Sequence, residues 1–357
     1  MKLTVRQGFC LMSAFLLGNV LSGIGGLGQG EKIGYLSVFL SYGIFLLFVF
    51  FYHSIFTKNE SSDFFSIIEK LFSPILQKIV FTIIAVGAFL SALFSVANYM
   101  EFIAVSTYHK TPITICLILV LALVLYLCLS REKAMGRYAE IVLPIILIAI
   151  FLLFFFGIRQ WNFENLTRSF PPVTLFQQGI SLFSGPFSEI IFIYFLSGSL
   201  YDNKKITKIS IWAGFLVTVL FSGIYLFNLL ILGENLMKIS QFPTFSAASV
   251  VKVGTVIERA ETLITFSYSF CDILYSAVCL LVCIKALGHL FSLTKKAKKI
   301  TAVIAVILLG FIWFILKRTV TVQALYPIVT VILLPLTAGL PLTMFCLTLI
   351  HPKRKNQ

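Results

Sequence analysis

The amino-acid sequence predicts an all-α integral membrane protein with ten transmembrane helices in two sets of five. Hydrophobic residues make up 59% of the 357 residues and charged residues only 12%, about half of the roughly 25% found in soluble domains. The mean hydropathy is +0.99, and apolar runs recur along the whole chain without a polar domain between them. Many of these runs reach the roughly 20 residues that cross a bilayer. We therefore expect a single transmembrane domain, residues 1–357.

The first five predicted spans form a set over residues 8–157. Lys2 and Arg6 precede the first apolar run, as in a signal peptide, but no small-residue cleavage site and polar mature region follow it. The first run is therefore predicted to be a retained span. The five spans are predicted at residues 8–28, 33–52, 79–108, 112–130 and 138–157.

The second set of spans, residues 179–350, follows a polar stretch at 158–178. Its spans are predicted at residues 179–200, 207–232, 257–287, 300–316 and 319–350. Because five crossings leave the chain on the opposite side of the membrane, the second set enters from the side opposite to the first. A five-plus-five repeat is therefore inverted.

Charge placement predicts the orientation. The net charge is +14, but the basic residues form short clusters between apolar runs and no extended basic face for nucleic acid. With the N-terminus inside, the inner segments hold about twice as many Lys and Arg residues as the outer ones, as the positive-inside bias requires. Both termini are therefore predicted to be cytoplasmic. Two loops have helical spacing: residues 63–78 as an amphipathic cytoplasmic helix and residues 240–261 as an external segment.

Two spans contain signals that break a helix. Residues 21–30 in the first span include five glycines, and Ser184-Gly-Pro-Phe-Ser188 in the sixth span places Gly185 beside Pro186, which has no backbone N–H. Interruptions at corresponding positions of two repeats are typical of transporter binding sites, where freed backbone groups and half-helix ends bind ligands. Close helix packing is the alternative interpretation.

Polar side chains form stripes on two further spans. Ser91, Ser95, Asn98 and Glu101 share a face of the third span. On the eighth span the corresponding residues are Thr262, Thr265, Ser269, Asp272 and Ser276.

Two acids, Glu189 and Asp272, fall near the centres of their spans. A charge there costs about 2.5–3.5 kcal/mol, so each acid needs a partner, water or a proton. Glu101 and Glu140 lie nearer to span ends, where water or a loop cation can satisfy them. The predicted substrate-binding residues are Ser22, Gly23, Gly25, Gly26, Ser91, Ser95, Asn98, Ser184, Gly185, Phe187 and Ser269, and the predicted ionisable residues are Glu101, Glu189 and Asp272.

Cysteine and histidine placement argues against an enzyme or a metal site. All seven cysteines fall inside or at the ends of apolar segments, where small buried hydrophobes are the simplest interpretation. The four histidines are scattered near the predicted membrane surfaces, without a partnered nucleophile. We expect no catalytic residue, no metal and no cofactor.

Residues 241–261 carry a family resemblance. The segment contains Phe242-Pro243, Val253-Gly254 and Ile257-Glu258-Arg259 with Glu261, and weaker matches occur at Thr4-Val-Arg-Gln7 and Glu164-Asn-Leu-Thr167. Together these pieces resemble the spore germination permeases, the B subunits of nutrient germinant receptors within the amino acid/polyamine/organocation superfamily.

The resemblance implies a LeuT-like inverted repeat with broken first and sixth helices, in which the first, third, sixth and eighth spans surround the ligand. It also implies two partners, a larger A subunit with a soluble domain and a C-subunit lipoprotein, in the inner membrane of a dormant bacterial spore. Some superfamily transporters carry a Lys in the fifth span in place of a sodium ion, whereas residues 140–157 contain none. That departure puts ion coupling in doubt.

Three functions follow from these observations. The first is a receptor subunit that binds a small nutrient, an amino acid being the expected one, and triggers germination. The second is an autonomous amino-acid permease that uses Glu189 or Asp272 as a proton carrier. The third is a structural membrane subunit without a ligand, which explains the glycine packing but not the central acids.

Overall fold

A computed structural model describes residues 3–23, 34–59, 63–106, 112–166, 172–199, 205–251, 260–316 and 329–350. The regular elements in these ranges are helices, which agrees with the predicted fold class. Their bounds are α1 Val5–Gly23, α2 Gly34–Asn59, α3 Phe64–Leu71, α4 Pro74–Ser106, α5 Ile113–Gly157, α6 Pro172–Leu182, α7 Ile191–Tyr194, α8 Ile206–Ile239, α9 Pro243–Val250, α10 Glu261–Leu290, α11 Lys295–Leu316 and α12 Val329–Ile350.

Seven of these helices, α2, α4, α5, α8, α10, α11 and α12, are long and apolar enough to cross a membrane. The 45 residues of α5 correspond to about 68 Å at 1.5 Å per residue, more than twice the roughly 30 Å of a bilayer core. Arg131 divides α5 with φ 64° and ψ −172°, so this element makes two crossings. The short apolar α1 and the interrupted helix over residues 172–199 bring the number of spans to ten.

Some predicted boundaries were wrong. The fourth span ends where the sequence predicts, since Arg131 follows residue 130, but the helix resumes directly after Arg131 and not at residue 138. The amphipathic helix predicted at 63–78 exists as α3 but ends at Leu71, since Phe72 is extended (φ −106°, ψ 150°). Pro74 then begins α4, consistent with the preference of proline for the first turn of a helix.

The N-terminal part of α3 explains why this short helix forms. Asp63 caps it by accepting a hydrogen bond from the Phe65 amide, as short polar residues do at helix starts. Phe64, Phe65 and Ile68 are buried on one face. The segment predicted to be external also contains a helix, α9, whereas residues 252–259 lie outside the described residues.

The core is centred on α10, which packs against α4, α5 and α1. A Cβ on Gly18 of α1 would lie 2.9 Å from the carbonyl oxygen of Cys271, so glycine permits the close approach of α1 and α10. Large apolar side chains such as Ile118, Phe151 and Phe311 are exposed on the outside of the bundle, as expected for a surface in contact with lipid. The packing places α1, α4, α10 and the interrupted helix around the centre.

One end of the bundle, which we call the amino-terminal side, holds the beginning of α1. The Leu3 amide donates to the Ser199 carbonyl at 2.8 Å, which brings the end of the interrupted helix to this side. The end of α10 and the middle of α5 meet here as well, because Lys285 and Glu132 form a salt bridge at 2.5 Å.

Candidate functional site

The sixth span is interrupted, as the sequence predicts. After α6 ends at Leu182, a π turn covers Phe183–Phe187 and a 3-10 turn covers Ser188–Ile190. Gly185 is non-helical, with φ −85° and ψ −105°, and Pro186 contributes no backbone donor. The Ser188 hydroxyl donates to the carbonyls of Ser184 at 2.8 Å and Gly185 at 3.2 Å. A side chain thus satisfies backbone acceptors that the break exposes.

The predicted break in the first span stays a prediction. Ser22 and Gly23 form the last turn of α1, and nothing is described of their side chains. Gly25 and Gly26 lie outside the described residues.

A cavity of about 20 Å³ lies beside the break in the sixth span. This volume is enough for about one water molecule. The cavity brings together α4, the interrupted helix, α10 and α12. Its lining residues are Ser91, Phe94, Ser95, Ser184, Gly185, Glu189, Tyr275, Val329, Thr330 and Leu333.

Two buried carboxyl groups lie at this centre. Glu189 lines the cavity and accepts a hydrogen bond from the Tyr275 hydroxyl. Asp272, 1% exposed, accepts a hydrogen bond on Oδ1 from Ser95, and Ser95 accepts one from Ser276 at 3.0 Å. Oδ2 of Asp272 has no hydrogen-bond partner among the described residues. Ser95 therefore separates Asp272 from the cavity while touching both.

The cavity contains five of the predicted site residues: Ser91, Ser95, Ser184, Gly185 and Glu189. Other predicted residues lie away from it. The Asn98 amide donates to the Tyr268 hydroxyl at 3.0 Å, and Ser269 accepts a hydrogen bond from Tyr99 at 2.5 Å.

Two further predicted residues also lie away from the cavity. Phe187 is buried against Phe45, with ring centroids 5.5 Å apart. Glu101 is half-buried near the far end of α4. The polar stripes of α4 and α10 therefore mainly join these two antiparallel helices, and only their inner part reaches the cavity.

Five lining residues were not predicted. Tyr275 lies one helical turn after Asp272 on the face of α10 that carries the polar stripe, so the spacing of that stripe could have identified it. Phe94 precedes Ser95 directly and carries no polar signal. The other three lining residues lie in an apolar stretch of α12, and hydropathy does not distinguish a lipid-facing helix from a cavity wall. They are Val329, Thr330 and Leu333.

An aromatic cluster closes the side of the bundle opposite to the amino-terminal side. The Phe102 ring lies edge-on to Phe242, Phe245 and Tyr268, with centroid distances of 5.1, 5.6 and 4.6 Å. Because Phe242 and Phe245 come from the segment around α9, this segment packs directly onto α4 and α10.

Ion pairs close the amino-terminal side. Arg6 pairs with Glu140 at 2.8 Å, which confirms that a cation satisfies this acid, and Lys285 pairs with Glu132 at 2.5 Å. Burial by itself raises the pKa of the Glu132 carboxyl. The charge and hydrogen bond of Lys285, with hydrogen bonds from the Glu132 backbone and the Ser199 hydroxyl, outweigh burial, so this pKa lies below its usual value.

Comparisons with known proteins agree with this architecture. Residues 2–322 match the sequence profile of the family described as "Spore germination protein". A curated relative, Spore germination protein KB of Bacillus subtilis (strain 168), is 23% identical over 269 residues, which are 73% of this chain and 71% of that protein.

Similar solved structures are transporters. The structure of MhsT in complex with L-phenylalanine has a TM-score of 0.64 at 14% identity, covering 96% of this chain and 88% of that chain. Mhp1, a nucleobase-cation-symport-1 family transporter, has a TM-score of 0.60 at 14% identity, covering 96% of this chain and 77% of that chain. These likenesses show a shared fold, the LeuT fold that the sequence predicts. The chain therefore belongs to the spore germination protein family and is a multi-pass membrane protein with the LeuT-type transporter fold.

Proposed function

We propose that this chain is the B-type membrane subunit of a spore nutrient germinant receptor and that it binds a small nutrient, an amino acid, at the cavity beside Gly185. The observation that carries the proposal is the meeting of α4, the interrupted helix, α10 and α12 at one cavity with a carboxyl group and several hydroxyl groups in its wall. An ionisable side chain inside a bilayer is costly, and Glu189 in the cavity wall is therefore a sign of a functional site.

The chemistry of the cavity suits an amino acid. Glu189 offers a carboxyl group to an ammonium group, and Ser91 offers a hydroxyl group to a carboxylate. The hydroxyl hydrogens of Ser95 and Tyr275 are directed to Asp272 and Glu189. The broken helix adds backbone groups that are not committed to a regular hydrogen-bond ladder. MhsT, which has a similar fold, was solved with L-phenylalanine, and this supports an amino acid as the ligand class.

The small cavity gives the proposal a conformational component. About one water fits the cavity, so an amino acid can bind only when the surrounding helices move apart. The aromatic cluster on one side and the ion pairs on the other hold the described conformation closed. A nutrient that prefers the expanded conformation shifts this equilibrium, and a preference of about 10⁴-fold moves it from 1:99 to 99:1.

The shift is read by partner subunits in this proposal. The partners are an A subunit with a soluble domain and a C-subunit lipoprotein, in the inner membrane of the spore. The amino-terminal side, with both chain termini, faces the cytoplasm, as the positive-inside bias indicates.

A labelled panel of the twenty amino acids, offered to purified protein in detergent, tests the proposal. We expect at least one to bind saturably, and Gly185→Leu to abolish that binding because the leucine side chain is larger than the cavity. The matched control is Gly43→Leu: Gly43 also lies within a span, but a Cβ there meets no atom within 4 Å. Saturable binding that survives in folded Gly185→Leu protein would contradict the site.

A second candidate function is an autonomous, proton-coupled amino-acid permease. It is favoured by the transporter fold of the structural neighbours and by Asp272, a buried acid whose described hydrogen bond comes from a hydroxyl group. Uptake of the bound amino acid into liposomes, driven by an imposed proton gradient, would support the permease. Binding without uptake supports the receptor subunit.

A further inference from the structure

Ser95 lies at the boundary between a buried acid and the cavity. Its hydroxyl donates to Oδ1 of Asp272 and accepts a hydrogen bond from Ser276 at 3.0 Å. Its side chain also forms part of the cavity wall. Asp272 is not among the lining residues, and its described hydrogen bond to the cavity wall comes from Ser95.

The hydrogen-bond capacity of a hydroxyl group makes Ser95 a switch between two states. A serine hydroxyl has one hydrogen and two lone pairs. When Asp272 is ionised, the carboxylate can only accept, so Ser95 directs its single hydrogen to Oδ1. Ser95 then has no hydrogen for the cavity. When Asp272 carries a proton, the carboxylic acid can donate to Ser95, and the Ser95 hydrogen is released towards the cavity.

We propose that Asp272 is a proton-binding site and that Ser95 relays its protonation to the ligand cavity. The proton comes from water and adds to the carboxylate oxygen, so no other reactant is required. The proposal rests on the proposed function only in taking the cavity as the nutrient site.

The surroundings of Asp272 favour a proton as the occupant. In the described ranges Asp272 makes no salt bridge, and Oδ2 has no hydrogen-bond partner. A neutral carboxyl is far cheaper than a carboxylate in the membrane interior. The titratable side chains that interact with Asp272 are themselves acids that are neutral at pH 7. They are Tyr138 of α5 and Tyr268, Cys271 and Cys279 of α10.

The neighbouring helices add no compensating charge in the described contacts. The α4 helix presents Ser95, and α1 presents Gly18 to Cys271 and the Phe15 ring to Tyr275. Glu189, which interacts with Cys279 as Asp272 does, is a second acid and supplies no positive charge to compensate an ionised Asp272. Each of these neighbours is compatible with a protonated Asp272.

The direction of the effect follows from the lining of the cavity. Among the described residues, the lining includes an acid and hydroxyl groups but no basic side chain. Hydroxyl groups are therefore the side-chain donors that this lining offers to a ligand carboxylate, and protonation of Asp272 adds one through Ser95. Because linkage is reciprocal, ligand binding takes up a proton and the affinity rises as the pH falls, by at most about tenfold per pH unit.

The test compares amino-acid binding over about pH 5 to 8 in purified full-length protein. Asp272→Asn has no proton to exchange and Ser95→Ala has no relay, so both are expected to lose the pH dependence seen in the wild type. The matched control is Ser91→Ala, which lines the same cavity one turn from Ser95. This variant is expected to change the affinity but to keep its pH dependence.

Infrared difference spectra recorded on pH titration give a readout that needs no ligand. The carboxylic C=O band of Asp272 should appear as the pH falls, vanish in Asp272→Asn and shift in Ser95→Ala, where its hydrogen bond changes. If no amino acid binds to the wild type, the proposed function fails, while these spectra still decide whether Asp272 takes up a proton.

Several results would overturn the proposal. One is wild-type pH dependence in folded Ser95→Ala protein, which decides the question even if Asp272→Asn fails to fold. Another is the absence of an Asp272 band over the whole titration. A third is an affinity that follows sodium or potassium concentration at constant pH, since this would assign Asp272 to a metal cation.

Discussion

The acids of the amino-terminal side and those of the membrane interior are stabilised in different ways. Glu140 and Glu132 are paired with Arg6 and Lys285 at 2.8 and 2.5 Å. Glu189 and Asp272 instead accept hydrogen bonds from the hydroxyl groups of Tyr275 and Ser95. Glu140 and Glu132 each have a positively charged partner side chain, whereas Asp272 has no such partner among the described residues.

The difference separates a structural role from the binding role that we propose. An ion pair between two helices holds those helices together, and each of its charges is already compensated by the other. A carboxyl that is bound only through a hydroxyl keeps the capacity to interact with a proton or a cationic ligand group. The ion pairs therefore hold the closed end of the bundle, and Asp272 is the acid that we propose responds to what binds.

The largest effect on stability is expected from Lys285→Met. The Glu132 side chain is 15% exposed and that of Lys285 26% exposed, so the variant leaves a largely buried carboxylate without its cation. We expect a loss of about 2 kcal/mol in unfolding free energy, somewhat below the 3–5 kcal/mol of fully buried pairs. Reaction of a thiol-specific fluorophore with cysteines that are buried in the folded protein, such as Cys271 and Cys279, measures unfolding in detergent.

Arg6→Gln provides the comparison for this prediction. The Arg6 side chain is 77% exposed, and exposed pairs contribute at most about 1 kcal/mol. Glu140 also keeps its hydrogen bond from Gln7 at 3.3 Å. Equal destabilisation by Lys285→Met and Arg6→Gln would mean that burial does not distinguish the two ion pairs.

The pH dependence of stability offers a smaller effect. The pKa of Glu132 is lowered in the folded protein, so the pair stabilises the fold above the unfolded-state pKa, about 4.3. This contribution is lost as the pH falls below that value and through the folded pKa. We expect the difference in unfolding temperature between the wild type and Glu132→Gln to be constant near neutral pH and to shrink only below about pH 4.3. A difference that shrinks between pH 7 and 5 would show that another group titrates.

Local signals in the sequence explain which parts of the site could be predicted. The break at Gly185 and the acid at Glu189 follow from a glycine, a proline and a carboxylate within a few residues of an apolar run. The partner of Glu132 is Lys285 on a distant helix, and only tertiary packing reveals it. Likewise, apolar Val329 and Leu333 reach the cavity because of the direction that α12 faces, which hydropathy alone does not encode.

The same distinction applies to the fold. Span number and type follow from apolar length, and the sequence therefore predicts ten helices. The continuation of α5 through Arg131 depends on a single residue with φ 64°, a conformation that a non-glycine residue adopts only rarely. The apolar pattern places the end of the fourth span at residue 130, next to this kink, but it does not predict that helix resumes directly after a single residue.

The smallest effect on stability is expected from Asp272→Asn, even though Asp272 is more deeply buried than Glu132. Asparagine has nearly the same shape, and its carbonyl oxygen can still accept the hydrogen bond from Ser95. The variant breaks no ion pair in the described part of the chain, and its new amide donor replaces an oxygen that has no described partner. We expect the unfolding free energy to change by less than about 1 kcal/mol, whereas Glu132→Gln should cost about 2 kcal/mol because Lys285 is left unpaired.

Thiol-reactivity curves recorded side by side for the two variants measure this difference in unfolding free energy. A loss in Asp272→Asn as large as that in Glu132→Gln would show that the Asp272 carboxylate is itself part of a stabilising charge pair, and the distinction between structural and responsive acids would fail.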